Sequence, residues 1–348
     1  MKKMQPRKTL KARKKRGNGG SLTFLPLVSF VFFVVLFLFP GLLPVSLYAQ
    51  STTVTRLAVI PENPRPGEPV TVAILTVAIL AAGADGAGLQ AVLVNSSGRL
   101  AKAVLFDLAA APGETPLKAA LLTVPSTARP GGASVRIESA KGVLGEMAIT
   151  ISPRDFVSEE IALDQSNTAI VSQPDPQKTA EANQLAAILN RTGVEVYASG
   201  TFVPPVTSTR RTSFFGDRRV YRYVSGGSST SIHGGVDYGV PKGTSVAACA
   251  DGKVVFAGFR IVTGNSVILE HFPGVYSLYY HLDKIEVLAG AMVKTGSLLG
   301  FSGSTGLSTG PHLHWEIRVA GENTDPDAFV ARAVLDKAAL LGKINSGP

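Results

Sequence analysis

The amino-acid sequence predicts a mainly β chain with an export segment ahead of it, and three observations lead there. Residues 1–50 join a basic stretch to an apolar run; residues 51–152 are short runs of Val, Ile, Leu and Ala broken by turn residues; residues 206–330 shift to frequent Gly and Tyr and hold all five histidines. With 45% hydrophobic and 17% charged residues, the 348-residue chain is too apolar for disorder and can bury more than one core. A single cysteine excludes a disulfide framework and any cysteine-paired zinc ribbon.

Charge is distributed unevenly. The formal net charge of +9 resides wholly in residues 1–16, which hold nine Lys and Arg, while the first 50 residues contain no acid. The rest of the chain is neutral overall, so the basic pI gives no reason to expect a nucleic-acid partner. Behind the basic stretch, Leu22 to Leu47 is almost wholly apolar, with Phe32 to Phe39 at its centre. That order places the amino end inside the cell and the remainder outside. The run is long enough to span a bilayer, whereas Pro40, Gly41, Pro44 and the Leu47-Tyr48-Ala49 end suit a cleaved signal. Both a cleaved signal peptide and a retained membrane anchor are therefore expected alternatives.

From residue 51 to 152, turn signals recur at Pro64-Pro66-Gly67, Ser96 to Gly98, Pro112-Gly113 and Pro130 to Gly132. Short strands at this spacing predict a small β-sandwich. Thr71–Leu75 and Thr76–Leu80 are identical Thr-Val-Ala-Ile-Leu copies. An odd repeat reverses the face of a strand, which suggests a two-sided strand or a bulge. The region has no histidine or cysteine, and spacing or partner contact is its expected role. Residues 153–205 read as a connector with one helix, begun by Asp175-Pro176 and ended near Gly193. The tail, 331–348, reads as a helix with Val334, Leu335, Ala338 and Leu341 toward the body.

The histidines are His233, His271, His281, His312 and His314. Imidazole is both a common metal ligand and the commonest acid or base near neutral pH, so their clustering points to a metal or catalytic site. In His312-Leu313-His314-Trp315-Glu316-Ile317, strand alternation sends Leu313, Trp315 and Ile317 to the core, and His312, His314 and Glu316 to the other face. Glu316 is thereby placed to orient a ligand, or else lies on the surface. His233 and Asp237 flank Gly234-Gly235, an extended or turning segment that lets backbone approach a site. Two histidines and one carboxylate make the three-ligand set of a catalytic zinc, or of a non-haem iron site. In Leu278-Tyr279-Tyr280-His281-Leu282, alternation pairs Tyr279 with His281 and puts Leu278, Tyr280 and Leu282 on the core side. His271 ends an apolar run and reads as a packed histidine.

These segments together resemble a known family. His233-x-x-x-Asp237, Tyr279-x-His281-Leu282 and the run Gly303 to Trp315 are similar to the motifs of the M23 (lysostaphin or LytM type) zinc metallopeptidases, over roughly Ser213 to Phe329. The resemblance implies one Zn2+ per chain on His233, Asp237 and His314, with His281 and His312 as the catalytic histidines. It also implies a compact antiparallel β fold and peptidoglycan peptide, cross-bridge or stem, as substrate in the bacterial cell envelope. Asp237 is the one carboxylate among these motif residues and is committed to the metal, so proton transfer falls to His281 or His312. Alternatives are an iron oxygenase, which leaves His281 and His312 unexplained, and a silent regulator or wall-binding module of the same fold working with a protein partner. Cys249 reads as a small buried hydrophobe, and Arg210-Arg211 and Arg218-Arg219 as a solvated face. Asn183 and Asn190 are candidates for an inhibitory contact from upstream.

Overall fold

The computed structural model describes residues 57–75, 88–108, 112, 116–191 and 193–346. The expected signal or anchor, and the second Thr-Val-Ala-Ile-Leu copy, lie outside these. Among the described residues no helix is long and apolar enough to cross a membrane.

Two four-stranded antiparallel sheets form the expected sandwich. One runs in the order Leu57–Ile60, Pro69–Leu75, Leu117–Thr123, Phe106–Leu108; the other runs Gly98–Val104, Gln90–Asn95, Gly131–Ser139, Gly142–Ile151. Period-two alternation fills the space between them: Val70, Val72, Ile74 and Leu122 meet Leu89, Leu93, Val135 and Ile137. The first sheet is apolar on its other side as well, where Ala73, Leu117, Ala119 and Leu121 join the core of the histidine-bearing region. Phe106 stands 6.3 Å from Phe272 across this junction. Thr71 to Ile74 are thus buried on both faces, so the first repeat copy is a two-sided strand.

The histidine-bearing region is one ten-stranded antiparallel sheet. Its main path is Arg211–Ser213, Val236–Tyr238, Leu313–Val319, Val275–Ile285, Gly264–Phe272, Gly252–Arg260 and Met292–Val293, with Ser245–Ala247, Leu298–Ser302 and Glu322–Thr324 branching from it. Leu313, Trp315, Ile317, Tyr279 and Leu282 pack its interior.

The connector holds more structure than its sequence predicts. Strand Ser158–Ala162 pairs in parallel with Arg218–Arg222, which pairs with Ser228–Ile232, and two helices follow: α1 (Gln165–Ser172) and α2 (Pro176–Leu189). Asp164 caps α1 by accepting from the Asn167 N–H, and Asp175 caps α2 by accepting from the Gln177 N–H. Helix α2 ends at Leu189 with Asn190 as its C-cap, short of Gly193. The tail expected at 331–348 is not one helix: α3 (Pro326–Ala331) ends where the tail begins, and α4 spans Lys337–Ser346. Val334 and Leu335 between them are buried but not helical, because Thr71 Oγ1 donates to the Val334 carbonyl and Asp336 accepts from the Ala339 N–H to start α4.

Candidate metal centre

Strand register brings the candidate residues together. His314 lies opposite Asp237 on one side and Tyr280 on the other. His233 follows the strand Ser228–Ile232, its N–H donating to the Asp217 carbonyl. Gly235 permits this approach, since a Cβ there would collide with the Trp315 carbonyl oxygen. His233 Nδ1 donates to the Phe214 carbonyl at 2.7 Å, which turns the lone pair of Nε2 inward. His314 Nε2 donates to Glu316 Oε1 at 3.0 Å, which turns the lone pair of Nδ1 inward.

Three atoms able to bind a metal therefore converge, and without a metal His314 Nδ1 donates to Asp237 Oδ1. His233 Nε2 is 2.9 Å from His314 Nδ1 and 3.1 Å from Asp237 Oδ1, and His314 Nδ1 is 2.7 Å from Asp237 Oδ1. The three side chains are buried, and their remaining polar atoms already have partners. A nitrogen, nitrogen, oxygen set this close, with each imidazole's other nitrogen pinned by an acceptor, fits a divalent cation and leaves its further positions open. In the metal-free chain, burial would lower His314, but Asp237 and Glu316 outweigh it and raise it to about 9. Asp237 is held well below the usual carboxylate range: burial works against ionisation, and His314 and His233 overcome it.

Two more histidines border this cluster. His312 Nε2 is 3.8 Å from Asp237 Oδ1, and its Nδ1 donates to the Gly310 carbonyl at 2.8 Å. His281 Nδ1 donates to the Thr305 carbonyl at 2.7 Å, and its ring centroid is 4.8 Å from that of His312. Burial, with His312 and His314 beside it, pushes His281 down to about 3; burial lowers His312 also. Burial thus favours the neutral imidazole at both positions.

Simple alternation misplaces His281. Tyr279 is in the core, its hydroxyl accepting from the Cys249 N–H, whereas Tyr280 stacks on His314 at 5.5 Å and 5°. His281 has φ of +60°, and Tyr280 and His281 together oppose Ser266 in a bulge. This left-handed residue reverses the alternation, so that Tyr280 and His281 both line the site.

The second arginine pair, Arg218-Arg219, is not a solvated face. Arg218 stacks on Phe156 and donates to the Ser126 carbonyl, while Arg219 points into the site and donates from Nη2 to Asp237 Oδ2 at 2.8 Å. Consecutive strand residues face opposite ways, which was the available signal. Glu316 is buried rather than superficial, fixed between His314 and Arg318. His271 is fully buried, its Nδ1 on the Asp251 carbonyl and its Nε2 on Ser277 Oγ, away from the cluster. Cys249 is buried too, and burial raises its thiol to about 11.

A cleft of about 440 Å3 opens beside the cluster, lined by Arg219, Tyr221, Ser231, Tyr280, His281 and residues of α1. Asn167 of α1 donates from Nδ2 to the Ser308 carbonyl at 3.0 Å and accepts from the Ser308 N–H. Ser308 Oγ lies 3.3 Å from His312 Nδ1, so the connector is tied to the loop that carries His312. Asn183 and Asn190 are exposed and do not line the cleft.

An antiparallel β domain with a two-histidine, one-carboxylate centre is the class of protein defined by this geometry. Residues 231–326 match the model of peptidase family M23, and the chain carries a domain of that family. It is 42% identical over 127 residues to the DD-carboxypeptidase/endopeptidase Mpg of Neisseria meningitidis serogroup B, covering 36% of this chain and 28% of that one. The peptidoglycan DD-endopeptidase ShyA of Vibrio cholerae is 30% identical over 178 residues, covering 51% and 41% respectively. The glycyl-glycine endopeptidase ALE-1 of Staphylococcus capitis is 44% identical over 130 residues, covering 36% and 35%. The chain thus spans less than half the length of each of these relatives. A putative M23 peptidase from Pseudomonas aeruginosa shares the fold, with a TM-score of 0.52 and 23% identity over 77% of this chain and 94% of that one.

Proposed function

We propose that this chain is a zinc-dependent endopeptidase that hydrolyses peptide bonds of peptidoglycan in the cell envelope. The observation that carries the reading is the inward convergence of His233 Nε2, Asp237 Oδ1 and His314 Nδ1 with two further neutral imidazoles at their border. His233, Asp237 and His314 would hold one Zn2+. A zinc ion in such a site supplies a bound water that ionises near neutral pH. His281 and His312 each have Nδ1 donating to a backbone carbonyl, which leaves the lone pair on Nε2. One would take a proton there from the attacking water and hand it on to the leaving amine; the other, once it carries a proton on Nε2 as imidazolium, would steady charge on the carbonyl oxygen.

An iron oxygenase would have no task for these two bases. The peptidoglycan-acting relatives support the substrate class, and the basic and apolar residues 1–50 support export, as a cleaved signal or a membrane anchor.

The test is to purify the full chain in mild detergent, measure its zinc, and incubate it with peptidoglycan beside His314→Ala and His281→Ala variants. We expect one zinc per chain and new peptide ends, with rates down at least about 100-fold in both variants. Zinc without new ends would instead support the silent regulator or wall-binding module.

A further inference from the structure

Arg219 joins the candidate metal site to the connector. Its Nη2 donates to Asp237 Oδ2 at 2.8 Å and its Nε donates to Glu159 Oε1 at 2.9 Å. Glu159 belongs to the strand Ser158–Ala162 and lies directly opposite Arg219 in the parallel pairing. Ser213 Oγ is 3.1 Å from Glu159 Oε1 and 2.9 Å from Asp217 Oδ2, so its one hydrogen serves either carboxylate. The Arg219 side chain is 14% exposed and that of Asp237 8%.

A carboxylate has two oxygens of similar basicity, and a divalent cation can engage both when nothing else claims one. Bidentate binding here would occupy the position that hydrolysis reserves for water. A guanidinium carries its N–H groups in a rigid fork and can hold two carboxylates at once; an ammonium cannot reproduce that geometry. A lone cation beside the metal would also repel it. Glu159 offsets this, since Arg219 with Asp237 and Glu159 still sums to one negative charge.

Building on the zinc reading above, we infer that Arg219 is a positioning residue that occupies Asp237 Oδ2, so that Asp237 presents Oδ1 alone to the metal, and that Glu159 of the connector holds Arg219 in place. The connector strand is therefore part of the metal centre rather than a spacer. The alternative is an ion pair that only fastens the connector to the sheet.

The experiment strips the full chain of metal and titrates zinc back against a chromophoric chelator, in unaltered, Arg219→Gln, Arg219→Lys and Glu159→Gln proteins. Visible absorption of the Co2+-loaded forms is recorded in parallel. We expect zinc affinity to fall about 10- to 100-fold in Arg219→Gln, little recovery in Arg219→Lys, and a smaller loss in Glu159→Gln. The Co2+ bands of Arg219→Gln should weaken as Asp237 becomes bidentate and the coordination number rises. Should Arg219→Gln not fold, Glu159→Gln and Arg219→Lys carry the same comparison. Equal or tighter zinc binding in the variants, with an unchanged Co2+ spectrum, overturns the inference and leaves the zinc reading intact. An unaltered chain that takes up no zinc overturns both.

Discussion

His271 is a buried imidazole with no part in the metal cluster, and its environment makes stability depend on pH. Burial lowers it to about 4, against the hydrogen bond from Nδ1 to the Asp251 carbonyl. The unfolded chain binds this proton near pH 6.5, so between 6.5 and 4 the unfolded state holds more protons. The contribution is complete above pH 6.5 and is lost as the pH falls toward 4, amounting to about 3 kcal/mol. Urea unfolding of His271→Gln should show a pH slope shallower than the parent by that amount over this window. An equal slope would mean His271 is already charged when folded. Glu316 offers a second test at the same scale. It accepts from His314 Nε2 and pairs with Arg318, so Glu316→Ala frees the ring and takes the carboxylate partner from a half-buried guanidinium. Zinc affinity should fall about 10- to 100-fold, with a lowered melting temperature.

At the scale of elements, the sequence shows what local periodicity encodes and hides what pairing creates. The Leu313–Val319 strand and its buried Trp315 follow from alternation alone. The bulge at His281 does not, because a positive φ on a non-glycine costs about 1 kcal/mol or more and is imposed by neighbours. Ser158–Ala162 has no apolar alternation and exists as a strand through its partner Arg218–Arg222, which is why Arg219 and Glu159 could not be joined in advance. Helix α1 is a similar case, capped locally by Asp164 but placed by Asn167 on Ser308. The Asn167–Ser308 contact ties α1, which lines the cleft through Ile170 and Val171, to the loop of His312, and releasing it should open the cleft to a peptide. Asn167→Ala should raise the rate of peptide-end release several-fold while lowering the melting temperature. A slower enzyme would show instead that α1 helps to hold the loop of His312 in its working position.

At the scale of the whole molecule, the first sandwich sheet is apolar on both faces, and this bears on how the chain unfolds. Ala73, Leu117, Ala119 and Leu121 share a core with Phe272, Val275 and Val319, while Val70, Val72 and Leu122 of the same sheet fill the sandwich. The sequence suggested only spacing or partner contact for this region, since alternation identifies a buried face but a strand apolar on both faces looks irregular. Two domains that share a sheet in this way lose both cores if the sheet dissolves, so unfolding should be one cooperative transition. The single tryptophan, Trp315, reports only the region of the candidate metal site, whereas circular dichroism reports all strands. The two urea curves should coincide. Ala119→Glu places an unpaired charge in the shared face and should cost about 3 kcal/mol or more. Its effect should appear equally in the Trp315 curve, although the substitution lies in the sandwich sheet. Two separate transitions, with Trp315 unmoved by Ala119→Glu, would show that the domains merely touch and that the connector alone links the sandwich to the site.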